Sequence, residues 1–219
     1  MPAMGRRKRI RAAMLLGFAV ASSIWRSSSA WCAAKLGRRA TLAMPLLPIL
    51  QQPSLAEVSD IQWNEPKRKK TSLANLADDF TRAFQQTQWG VNGRVQPRFF
   101  DDKFVFRDPD VTTNGLQEYS KGTGAVLSNC KADAIDVTVK EPKQFAIRWR
   151  IAGTANVPFP GLKIKPYIVT STFTVNDDGL VDSETDSFSI PTWDLLLSAI
   201  APWWPGLAEP TPPLTSPYA

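Results

Sequence analysis

The chain contains no histidine, so any chemistry it performs must use carboxyl, hydroxyl, amine or thiol groups. That excludes Ser-His-Asp and Cys-His nucleophiles and every His-ligated zinc or iron site. Two cysteines, Cys32 and Cys130, are too few for a zinc cluster or a disulfide framework. Cys130 has no histidine neighbour to activate it and reads as a core thiol at a helix end. Asp177, Asp178 and Asp182 could offer oxygen ligands, but a calcium loop with its terminal Glu is absent. Asn176-Asp177-Asp178-Gly179 reads instead as a hairpin turn. No phosphate-binding loop or dinucleotide fingerprint occurs, because Gly122-Thr123-Gly124 falls inside a helix rather than after a strand. No cofactor and no metal are expected. Asp108, next to Pro109, suits a turn that its side chain closes by hydrogen bonds to the backbone.

The elements that would position such groups are legible from periodicity. Leu73, Leu76, Ala77, Phe80, Ala83 and Phe84 recur at helical spacing after Ser72, a capping residue. Phe104-Val105-Phe106 reads as a short strand. Asn114 with Gln117 looks like a capping box for a second helix carrying Leu116, Tyr119, Thr123 and Val126-Leu127. Beyond Cys130 the period changes to two. Ile135, Val137 and Val139, then Phe145, Ile147, Trp149 and Ile151, then Val169, Ser171, Phe173 and Val175 each alternate with polar partners. Arg148 and Arg150 are placed on the solvent face. A last strand runs over 180–190. Helices followed by long strands with short turns predict an α+β fold, with N-terminal helices packed on a strongly curved antiparallel sheet.

Charge divides the chain. Residues 1–56 carry nine bases and no acid, and the remainder carries 17 bases against all 20 acids, a net −3. The basic surplus therefore belongs to the leader, and no nucleic-acid partner is expected. The leader 1–56 reads as a bipartite targeting signal. Its signal-like part, 1–30, has Arg6-Arg7-Lys8-Arg9, the apolar run Ala12–Trp25 and a small-residue end. Its twin-arginine-like part, 37–56, has Arg38-Arg39 ahead of Ala40–Leu50. Two export signals in series point to a plastid protein, in the thylakoid lumen more than the stroma. Residues 57–70, with Lys67-Arg68-Lys69-Lys70, read as a solvated linker.

From Leu73 to Ile190 the order of elements resembles the nuclear transport factor 2-like (SnoaL-like) superfamily, and most of all its plastid and cyanobacterial domains of unknown function. The residues that carry the resemblance are Phe104-Val105-Phe106-Arg107-Asp108-Pro109, Gly115-Leu116-Gln117-Glu118-Tyr119, Phe145-Ala146-Ile147-Arg148-Trp149-Arg150-Ile151 and Thr172-Phe173-Thr174-Val175 with the turn after it. The resemblance implies a cone-shaped roll over 71–191, with Phe80, Phe84, Tyr119, Phe145, Trp149 and Phe173 lining its pocket. It also implies one catalytic candidate, Asp108, as the general base of a cofactor-independent isomerase or dehydratase. The partners that isomerases of this superfamily give that base, a Tyr on the first helix and a protonated Asp on a late strand, correspond to Phe80 or Phe84 and to Ser171. The Asp-His pair of the SnoaL cyclases has no counterpart. The sequence thus favours a non-catalytic module for a small apolar ligand or a protein partner, with the isomerase or a secreted bacterial binding module as alternatives.

Residues 192–205 form an apolar C-terminal helix and Pro202-Trp203-Trp204-Pro205, an interaction surface built on Trp193, Leu196, Leu197, Ile200, Trp203 and Trp204. A photosynthetic complex, a thylakoid membrane surface or a second copy of the chain would each fit it. The Pro-rich tail 206–219 is expected to be disordered.

Overall fold

The computed structural model describes residues 60–140, 142–156 and 160–218, so the leader read from the sequence as a targeting signal lies outside the described residues. Helix α1, Leu73–Thr87, starts where Ser72 Oγ accepts the backbone N–H of Asn75 at 3.3 Å. A short helix α2, Trp89–Asn92, and a 3₁₀ turn, Pro97–Phe99, lead into β1, Phe100–Arg107. Strand β2, Thr112–Asn114, precedes α3, Leu116–Val126, and then come β3, Leu127–Lys140, β4, Gln144–Ala155, β5, Leu162–Val175, and β6, Val181–Phe188. Helix α4, Thr192–Ile200, follows.

The strands form one sheet in the order β2-β1-β6-β5-β4-β3. The fold is α+β as expected, but the sheet is mixed: β1 runs parallel to β6, and every other pairing is antiparallel. β1 and β6 are joined not by a hairpin but through β2, α3 and β3–β5, and so long a connection allows them to run parallel. Bulges at Ala134/Asp136, Ile151/Gly153 and Thr174/Val175 bend the long strands and curl the sheet around α1. The edge strand β3 is not left open. Gln85 Oε1 accepts from Ala134 N at 2.8 Å, and Gln88 brackets Ala132 through both its amide atoms at 2.7 and 2.8 Å. Gln85 of α1 and Gln88 at its C-cap thus finish the ladder that β3 cannot complete alone.

Several local expectations change. Asn114 is a β2 residue opposite Val105, and α3 is led by Gly115 at φ 92° with no side-chain cap. Cys130 sits in β3 beside Asn129, whose φ is 48°, where its thiol reaches Thr154 O; burial pushes it up, so the thiol stays protonated. The 57–70 linker is a strap from residue 60 onward. Ile61 and Trp63 pack on the core, Lys67 pairs with Asp102 at 2.7 Å, and Arg68 pairs with Asp79 at 2.7 Å while lying over the Phe99 ring. Where composition predicts a disordered tail, residues 208–218 are seated on the domain. Thr211 N donates to Pro166 O, Ser216 Oγ donates to Ala134 O at 2.6 Å, and Tyr218 packs against the core. The tail also covers Arg150, which is buried, donates to Thr211 O and faces Asp133; Arg148 alone of the two arginines stays in solvent.

Candidate functional site

The inner face of the sheet follows from register. Thr113, Phe106, Glu184, Phe173 and Phe145 lie in one row across β2, β1, β6, β5 and β4. Asp186, Ser171 and Ile147 form the next row, and Phe188, Val169 and Trp149 the one beyond. Neighbours within and between such rows are within side-chain reach. One part of this face is wholly apolar. Phe80 of α1 meets Trp89, Phe99, Phe145 and Phe173 at centroid distances of 4.7, 5.4, 5.2 and 4.7 Å. Phe84 meets Trp89 and Trp149 at 5.6 and 5.3 Å. These rings fill the apex of the cone.

Beside them lies a polar cluster. Trp149 Nε1 donates to Ser171 Oγ at 2.9 Å, leaving the Ser171 hydroxyl proton for the carboxyls of Glu184 and Asp186. Tyr119, buried against Phe106 at 4.8 Å, brings its hydroxyl to Glu184 from α3. Its place depends on Gly93, at φ 74°, where a Cβ would stand 2.1 Å from Ser120 O; only glycine lets α3 approach this closely. Glu184 is 2 % exposed. Burial, then the charge of Asp186, raises the Glu184 carboxyl well above the usual range, and burial pushes Asp186 up to about 7. Hydrogen bonds from Ser171 to both carboxyls and from Tyr119 to Glu184 oppose these shifts without cancelling them, and the hydrogen bond between the two carboxyls lowers Asp186 while raising Glu184. Among the described residues no N–H or O–H donor of another side chain or the backbone reaches Glu184 Oε2 or Asp186 Oδ1, and Thr113 Oγ1 is buried without a partner. A pair of carboxyls that trades one proton near neutral pH can act as general acid and base.

Asp108 ends β1 at the edge of this cluster. Its Oδ1 accepts from Asp110 N at 2.8 Å and Val111 N at 2.6 Å, closing the Pro109 turn. Burial raises its pKa against those two bonds, and its charge contributes to the rise at Asp186. Among the six aromatic positions picked from the sequence, Tyr119 and Trp149 touch the polar cluster. Phe80, Phe84, Phe145 and Phe173 interlock in the apex. The six C-terminal positions stand apart from it: Trp193, Ile200, Trp203 and Trp204 are exposed, and Leu196 and Leu197 are half-buried. Sequence reasoning did not pick out Glu184 and Asp186. The usable signal was the alternation Glu184-Thr185-Asp186-Ser187-Phe188, which puts two acids on the face that Phe188 shares. The surface grooves beside the 60–70 strap, lined by residues such as Gln96, Pro97 and Leu116, include none of these groups.

The model of the family described as "Uncharacterized conserved protein (DUF2358)" matches residues 70–183, just over half of the chain. The chain belongs to that family. The match takes in Tyr119, Trp149 and Ser171 and ends one residue before Glu184. No curated protein matches the chain. Among solved structures it is similar to a protein described as a SnoaL-like polyketide cyclase from Jannaschia sp. CCS1, at 14 % identity and TM-score 0.48, covering 62 % of this chain and 99 % of that one. An NTF2-like protein of unknown function from Cytophaga hutchinsonii is similar at 14 % identity and TM-score 0.39, over 56 % of this chain and 94 % of that one. An LEH-like epoxide hydrolase from M. tuberculosis is similar at 13 % identity and TM-score 0.39, over 58 % and 94 %.

Proposed function

We propose that this domain binds a small, largely apolar molecule in its cone and moves a proton on it without a cofactor, with Glu184 and Asp186 as acid and base. The observation that carries the reading is the pair of inward carboxyls, Glu184 buried and Asp186 half-buried, which hydrogen-bond each other and take no other donor on Glu184 Oε2 or Asp186 Oδ1. A proton held between two such carboxyls can be passed to a ligand and taken back. Ser171 and Tyr119 orient the pair, and the apex rings exclude water from it. Asp108, spent on its turn, guards the mouth rather than serving as the base. On a panel of small apolar ketones, alcohols and amines, turnover by the full chain should fall at least about 100-fold in Asp186→Asn and in Glu184→Gln. It should persist in Asp110→Asn, which alters only an exposed turn residue. Turnover indifferent to both amides removes the reading.

A second reading rests on α4, which is inside out. Its polar residues Asp194 and Ser198 are the buried ones: Asp194 pairs with Lys165 and accepts Ala208 N at 2.7 Å, and Ser198 Oγ donates to Leu195 O. Trp203 is 78 % exposed and Trp204 53 %. That outward apolar surface suits a partner or a membrane face, and with the bipartite leader it supports a plastid protein docked at the thylakoid. None of the described helices is long and apolar enough to cross a membrane. In plastid fractions the native chain, shortened by its leader, should sediment with thylakoids. Trp203→Ser with Trp204→Ser should release it while leaving the melting temperature unchanged; an unreleased variant defeats this reading.

A further inference from the structure

The polar end of the cone carries acid without base. Glu184 and Asp186 face it from β6, Asp108 from the end of β1, Tyr119 from α3 and Tyr167 from β5, with the Cys130 thiol of β3 acting on Tyr167. The charges that shift these groups near neutral pH come from one another and from Asp110, and none of them belongs to a lysine or arginine. The two acids hydrogen-bond each other, and no other donor among the described residues reaches Glu184 Oε2 or Asp186 Oδ1. Separately from the acids, Thr113, 5 % exposed and in the same row as Glu184 across Phe106, has an unpartnered Oγ1. The surrounding surface is aromatic, with Phe106 against Tyr119 and Tyr167 against Phe188 at 5.5 Å.

We infer that the cone takes a cationic nitrogen: a protonated primary or secondary amine on a small apolar body, its N–H groups directed at Glu184 Oε2 and Asp186 Oδ1. The inference rests on the reading of the cone as a ligand pocket and adds the class of ligand. An ammonium group has donors only, and the oxygens of the acids that no other donor reaches are acceptors. Aromatic rings favour a cation over their faces. A carboxylate or phosphate ligand would add like charge to a pair that already resists ionisation. A metal ion is the weaker candidate, because among the described residues no group of three or more His, Cys, Asp or Glu side chains converges to hold one.

Three probes with one carbon skeleton separate the possibilities: 2-phenylethylamine, 2-phenylethanol and phenylacetate, titrated calorimetrically into the full chain. The amine should bind at least roughly tenfold more tightly than the alcohol, and phenylacetate should bind more weakly than both. Because the cation draws the proton off the pair, amine affinity should rise from about pH 6 to about pH 8 with release of protons to the buffer. Glu184→Gln with Asp186→Asn should abolish the advantage of amine over alcohol, and Asp186→Asn alone should reduce it, in proteins whose melting shows them folded. An alcohol that binds as tightly as the amine, and is lost in the same variants, overturns the cation while leaving the pocket standing. If none of the three binds at millimolar concentration, both the cation and the pocket fall.

Discussion

Phe80→Ala is expected to remove about 3–5 kcal/mol of stability, a large share of the roughly 5–15 kcal/mol that holds a domain folded. Phe80 has no exposed surface, and besides its four apex partners it meets Phe100 at 5.5 Å. Its ring meets rings of β1, β4, β5 and the α2 segment together. Deleting the ring loses the transfer energy of the phenyl group and opens a cavity among rings that cannot collapse, because their strands are fixed by the ladder. Phe80→Leu should cost less, about 1–2 kcal/mol, since most of the volume is kept. Urea denaturation of the two variants checks both values. A Phe80→Ala loss below about 1 kcal/mol would mean that the apex repacks, and would weaken the assignment of the apex as closed wall rather than ligand space.

The parts of this architecture that repeat with a period were legible in the sequence. The α1 stripe of Leu76, Ala77, Phe80 and Phe84 is buried as a stripe, and the alternating residues of β4 and β5 face inward as alternation requires. Features set by partners distant in sequence were not. Lys67 and Arg68 look like part of a solvated run until Asp102 and Asp79 are in place beside them. The prolines of the tail mark it as aperiodic, which composition cannot distinguish from disorder; two hydrogen bonds to Pro166 O and Ala134 O hold it. The acids of β6 were hidden for a different reason. A glutamate two residues from an aspartate in a strand normally marks a solvent face, and only the pairing of Asp186 with Ser171 and of Glu184 with Phe173 turns them inward.

That inward turn has a measurable cost, and stability should fall as pH rises. Both carboxyls hold their protons more tightly folded than unfolded, so the folded state binds more protons wherever the pH lies between the two pKa values. The contribution is complete below the ordinary carboxylate value of 3.8 and is lost as pH climbs through about 7, the folded value for Asp186. The opposite behaviour of Asp102 and Asp177, whose pKa values are lowered by Lys67 and Lys143, appears only in more acidic solution. Between about pH 5 and about pH 8 the share of Asp186 alone should be a loss of roughly 2–3 kcal/mol, with Glu184 acting in the same direction. Asp186→Asn should flatten that slope, equalling the native protein only below about pH 4 and exceeding its stability increasingly up to pH 8. Glu184→Gln should act in the same direction, and the two together should gain less than their sum, because each carboxyl raises the other. Urea midpoints across this range decide it: an Asp186→Asn protein less stable than the native one at pH 8 would show that the pair is ionised and structurally satisfied. A gain at pH 8 would mean that the native chain keeps, at the centre of its sheet, a carboxyl pair that folding alone would replace.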